Sequence, residues 1–172
     1  MGSQLVGEAW KGWPEVISLF VYGSLRHGGG NERLLSGTRR AAYTGAGWTL
    51  HEFAQGAYPV MLPSGSVTPV FGEVISLDID STEFRAVEHM EHGAGYNLTP
   101  LRVTVMEQQQ NWTIGSHEAV FVTLPHDEEA FTFAYFHADD DWIGKEVPGG
   151  DWIAHIGGRL SPEERLYRDA SL

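Results

Sequence analysis

The chain has no cysteine among its 172 residues. That excludes disulfides, thiol catalysis and cysteine-based zinc sites, and it suits a cytoplasmic protein. Basic residues are scarce: 11 Lys and Arg stand against 23 Asp and Glu, a formal net charge of −12. A nucleic-acid backbone or an anionic membrane surface would repel such a chain, so neither is expected as a partner. Solubility alone accounts for the acidic balance, which names no substrate. No apolar run approaches the roughly 18 residues of a membrane span, and the N-terminus shows neither the basic start nor the apolar core of a signal peptide. Several catalytic and nucleotide motifs are missing as well. There is no G-x-G-x-x-G, and no G-x-S-x-G elbow. The spacing from Gly23 to Gly28 matches the start of a P-loop, but Gly29-Gly30 stands where Lys-Ser/Thr must follow, which leaves phosphate charge uncompensated.

What is present reads as one domain with many short strands. Val16–Tyr22, Val70–Leu77, Leu101–Met106, Ala119–Leu124 and Phe131–His137 are rich in β-branched and aromatic residues and are punctuated by Gly, Pro, Asp or Asn. Two helices are expected, a short one starting near Asn31 and a longer one over Ser81–His92. Asp80, three residues ahead of Glu83, predicts a capping box, and Gly93 predicts the helix stop. Ser161-Pro162-Glu163-Glu164 favours a last helix in a C-terminal tail over residues 157–172, beyond a core of about 17–156.

The longer helix places an acid on its buried side. At 100° per residue, Phe84, Val87 and Met90 share a face and Glu91 projects between the first two, with Glu88 on the flank and Arg85 and His89 turned away. A carboxylate among apolar neighbours loses hydration, which raises its pKa and suits it to shuttle protons near neutral pH. The alternative is that the helix end turns Glu91 into solvent or into a salt bridge. The glycine turn after the first strand is equally open. Backbone N–H groups at Gly23, Ser24 and Leu25 would suit a carboxylate or a developing oxyanion, and a plain structural turn would look the same.

Phe20-Val21-Tyr22-Gly23-Ser24-Leu25-Arg26, followed by Gly28 and Asn31, resembles the signature turn of the γ-glutamylcyclotransferase-like family, in particular the branch related to γ-glutamylamine cyclotransferases. Tyr58-Pro59-Val60-Met61-Leu62 resembles its substrate-pocket stretch, Val70–Val74 its next core strand, Val87–Tyr96 its segment of paired acids, and Gly150-Asp151-Trp152 its C-terminal element. The resemblance implies an α/β (α+β) fold, a small mixed β-barrel-like sheet with a few outer helices. It implies a lyase-type cleavage of a γ-glutamyl amide: the α-amine attacks the γ-carbonyl, giving 5-oxoproline and a free amine. Glu91 would be the general base and then acid. Tyr22, Gly23, Ser24, Leu25, Tyr58, Pro59 and Tyr96 would bind the small-molecule substrate. No cofactor is implied, and no metal site is expected from the scattered His and Asp of residues 108–141. The resemblance to the amine branch favours an amine over a free amino acid as leaving group, and a cationic one would be tolerated if Glu128, Glu129 and Asp139–Asp141 border the pocket. His92 and Glu88 depart from the family's usual Gly or Ser and Asp, and both departures bear on specificity. A non-catalytic member that binds an acidic metabolite or a protein partner is the competing reading.

Overall fold

Residues 12–106 and 108–157 are described by the computed structural model. Five strands close into a barrel in the order β1 (Val16–Val21), β5 (Phe71–Asp78), β2 (Arg39–Thr44), β6 (Asn97–Val105), β9 (His126–Ala134). Neighbours run antiparallel except β1 and β9, whose parallel pairing at Leu19 and Phe131 closes the ring. Beside the barrel, β3 (Trp48–Phe53), β4 (Tyr58–Pro63) and β10 (Ile143–Glu146) form a small sheet in the order β10-β3-β4, and β7 (Gln108–Ile114) pairs with β8 (His117–Thr123). Helix α1 (Thr82–Gly93) follows β5, and the six-residue α2 (Trp152–Gly157) follows β10. No helix among the described residues is long and apolar enough to cross a membrane.

Two cores divide the molecule, and strand alternation explains the division. Phe20 of β1 and Tyr22, the residue after it, join Ala42, Val74, Val103, Val105 and Ala130 in the barrel interior. Ile17, Leu19 and Val21, on the opposite face of β1, pack with Ile75, Leu77 and the helix residues Phe84 and Val87. Burying each such side chain is worth about 1.5–3 kcal/mol, which fixes the rotation of α1 against the barrel. Met90 packs on the same core, and Arg85 and His89 are exposed, as the helical periodicity predicts.

The ends of α1 differ from expectation. The Ser81 hydroxyl, not Asp80, caps the helix by accepting from the Phe84 N–H at 3.1 Å. Asp80 instead pairs with Arg85, and Glu83 accepts from the backbone and hydroxyl of Ser36. The helix runs through Gly93 and ends at Ala94, before Gly95 at φ +90°. The short helix near Asn31 is a 3-10 turn over Glu32–Leu34. Strands β2, β3, β4, β7 and β10 were not among the expected runs, and β9 lies about five residues earlier than its apolar segment suggests. The expected tail helix from Ser161 lies outside the described residues.

Candidate functional site

A cavity of about 310 Å³ opens where the turn after β1, the start of β4 and the end of α1 meet. Every residue singled out from sequence lines it: Tyr22, Gly23, Ser24, Leu25, Tyr58, Pro59, Glu91 and Tyr96.

The turn owes its shape to its carbonyls. The Gly23 carbonyl accepts from the Arg26 N–H at 3.0 Å, that of Ser24 from the Asn31 N–H at 2.8 Å, and that of Leu25 from Arg39 Nη1 at 2.7 Å. Across a trans peptide the N–H points opposite to the C=O, so tying back the carbonyls of Gly23 and Ser24 directs the N–H groups of Ser24 and Leu25 the other way. Among the described residues, no protein acceptor meets the N–H of Gly23, Ser24 or Leu25. Unpaired amides gathered at one turn are chemically suited to a carboxylate or a developing oxyanion. Gly28 lets the chain reverse at φ +78°, and its N–H donates to Glu32 Oε2. Gly23 has another reason to be glycine. Its φ is not in the left-handed region, but a Cβ there would lie 2.5 Å from the Pro59 ring. The turn is braced from two sides. Arg26 pairs with Asp151 at 2.8 Å, while Glu73 accepts from both Arg39 and the His27 N–H.

Glu91 is half-buried on the last turn of α1 and forms no ion pair or side-chain hydrogen bond among the described residues. Burial pushes its carboxyl up to about 7. It is the one charged side chain lining the cavity among the described residues. The two tyrosines beside it are donors committed to the backbone: Tyr22 gives its hydroxyl proton to the Phe133 carbonyl at 2.6 Å and Tyr96 to the Pro59 carbonyl at 2.8 Å. Burial first, and then the neighbouring Glu91 and tyrosine charges, push both phenols well above their ordinary range, so they stay neutral. Tyr58 is 57% exposed, at the rim.

Several lining residues were not singled out as site residues. Asn31 ties down Ser24 twice, through its backbone N–H and through Nδ2 to the Ser24 hydroxyl at 3.0 Å. Its place in the signature turn was the signal that could have found it. Met90, marked only by its place on the apolar face of the helix, also lines the cavity with Phe53, Ala94, Thr132 and Phe133, which no local pattern marks. The acids expected at the border are elsewhere: none of Glu128, Glu129 or Asp139–Asp141 lines the cavity, because Glu128 is held by Arg40 and Ser18 and Asp140 by Tyr135 and Trp142. The described residues hold no group of three His, Asp or Glu able to bind a metal ion.

The family model described as "Gamma-glutamyl cyclotransferase, AIG2-like" matches residues 19–154, which contain the whole cavity lining. Solved structures share the fold at low identity. An AIG2-like protein from Mus musculus is 20% identical with a TM-score of 0.54, over 75% of this chain and 83% of the mouse chain. An uncharacterized protein from Pyrococcus horikoshii is 18% identical with a TM-score of 0.54, over 83% and 95% of the two chains. A protein from Arabidopsis thaliana is 15% identical with a TM-score of 0.57, over 92% and 95%. No curated protein matches the sequence significantly.

Proposed function

The chain belongs to the γ-glutamyl cyclotransferase, AIG2-like family, and from that premise we propose that it converts a γ-glutamyl amide into 5-oxoproline and a free amine. The observation that carries this reading is an unpaired carboxyl, pushed to about 7, in the same cavity as three unpaired backbone N–H groups.

The reaction needs little beyond those groups. The substrate supplies its own nucleophile, and a five-membered ring forms readily once the amine and the γ-carbonyl are held together. Glu91, as carboxylate, takes a proton from the α-ammonium. The amine nitrogen then forms a bond to the γ-carbon, and negative charge builds on the carbonyl oxygen. When the old carbon–nitrogen bond breaks, the departing nitrogen takes that proton back from Glu91; the carboxylate then removes the second proton from the ring nitrogen and passes it to the freed amine, which leaves as the ammonium. A group near pKa 7 serves these transfers because neither form is strongly favoured at neutral pH. The N–H groups of Gly23, Ser24 and Leu25 hold the negative charge of the glutamyl group, while Tyr22, Pro59 and Tyr96 shape the walls around it. The leaving group is an amine in preference to a free amino acid, because no cationic side chain among the described residues lines the cavity to meet a second carboxylate.

Incubation with a panel of γ-glutamyl amines, followed by mass spectrometry for 5-oxoproline, tests the proposal. Formation of 5-oxoproline by the native protein, and its loss in Glu91→Gln, is the expected result. Binding across the panel with no product would favour a binding protein instead.

A further inference from the structure

We propose that the leaving-group side of this cavity is built for an uncharged, apolar amine of aryl or branched-alkyl type. The inference rests on the cyclisation reading for its vocabulary and on the cavity wall for its content.

The proposed anion cradle occupies the turn after β1, so the rest of the lining is left for the departing amine. That part comes from other elements: Phe53 and Tyr58, paired at the hairpin end of β3 and β4, and Met90 and Ala94 at the end of α1. The wall is supported from behind. The Phe53 ring lies 5.3 Å from that of Tyr135, which in turn lies 5.6 Å from Tyr96, and Trp142 stands 6.5 Å from Phe53 on its other side. Rings held this way present a fixed apolar surface, which binds apolar groups at small entropic cost. Behind this wall, the Asp140 carboxylate is taken up by the rings that support it: its oxygens accept from the Tyr135 hydroxyl at 2.6 Å and the Trp142 N–H at 2.9 Å.

Charge on the amine works against the chemistry in either sign. A carboxylate would be buried without a countercharge and beside Glu91. An ammonium would meet Glu91 itself, favour its ionised form and lower its pKa, which weakens its return of the proton. The net charge of −12 attracts cations from afar, but physiological salt screens that field beyond about 8 Å.

Three amides on one ring skeleton decide the matter, made from benzylamine, phenylalanine and 4-(aminomethyl)benzylamine. Their glutaryl forms lack the α-amine and cannot cyclise, so calorimetry on the native protein reads binding with the Glu91 charge intact. The benzylamide should bind about tenfold or more tighter than either charged relative, the scale of one uncompensated buried charge after partial solvation. Equal or tighter binding of a charged form overturns the proposal. Tyr58→Arg, at the exposed rim, should selectively strengthen binding of the phenylalanine form, and no gain there would mean that the leaving group lies elsewhere. Turnover of the corresponding γ-glutamyl amides is measured separately. Absence of 5-oxoproline from all three, with the glutaryl order intact, would remove the cyclisation reading while the apolar chamber stands.

Discussion

At Glu91, the cost of stripping water from a carboxylate and the proton transfers we propose fall on one side chain. Burial raises its pKa from 4.5 to about 7, so the folded state prefers the protonated form. The stability this contributes is fully present below pH 4.5 and is lost as pH rises through about 7, a change of up to about 3 kcal/mol. Glu91→Gln should therefore melt above the native protein at pH 8, with the gap closing toward pH 4.5 in a pair of calorimetric scans. The same substitution should cut cyclisation by roughly 10²-fold or more, the scale of lost general acid–base catalysis. In the native protein kcat/KM should rise through about pH 7 as the carboxylate forms, and Glu88→Gln, on the helix flank, should keep that profile. At the turn, Gly23→Val should abolish activity because its side chain has no room against Pro59, whereas Ser24→Ala removes only a hydroxyl that accepts from Asn31 and should keep much of it. Equal loss in both would bring the Ser24 hydroxyl into the chemistry.

Among the elements, α1 was the most legible, because a 3.6-residue period marks its buried face whatever it packs against. Its cap was misread by one residue: Asp80 and Ser81 are both good N-cap residues, and the sequence does not say which one takes the Phe84 N–H. Ser81→Ala should cost about 1 kcal/mol in a denaturant melt, and Asp80→Ala much less. Strand β2 was not legible. Arg39 and Arg40 interrupt any apolar alternation there, and their partners Glu73 and Glu128 lie 34 and 88 residues away. Yet β2 is the strand that braces the site. Arg39 donates to the carbonyls of Leu25, Glu32 and Leu35, and Glu73 holds Arg39 and the His27 N–H together. Glu73→Gln leaves Glu91 in place, so it should raise KM several-fold by loosening the cradle while the pH profile stays fixed. A shifted profile would draw Glu73 into the proton transfers.

On the scale of the whole molecule, the barrel is stoppered by charge at one end and open to the cavity at the other. Ser18 shares a face of β1 with Phe20 and Tyr22, and stands about 7 Å, at 3.3 Å per residue, short of Phe20, where the cavity lining begins on that face. Glu128 sits there between Ser18, whose hydroxyl donates to it at 2.5 Å, and the guanidinium of Arg40, which binds both carboxylate oxygens at 2.7 and 2.8 Å. One carboxylate thus links β1, β2 and β9, of which β2 lies two places from β9 in the ring. None of this shows in the sequence, where Glu128 reads only as an acid bordering the pocket. The hydrogen bonds from Arg40 lead in holding the Glu128 carboxyl down at about 2, a depressed value and so the reverse of Glu91. Its contribution is present above pH 4.5 and is lost as pH falls through about 2. Glu128→Gln should lower the melting temperature at pH 7 by several degrees, with the difference from the native protein shrinking steadily between pH 4.5 and 2. Activity at 25 °C should hold, because the clasp touches no group that lines the cavity. A variant that melts normally yet loses turnover would show instead that the closed end of the barrel governs the shape of the open one.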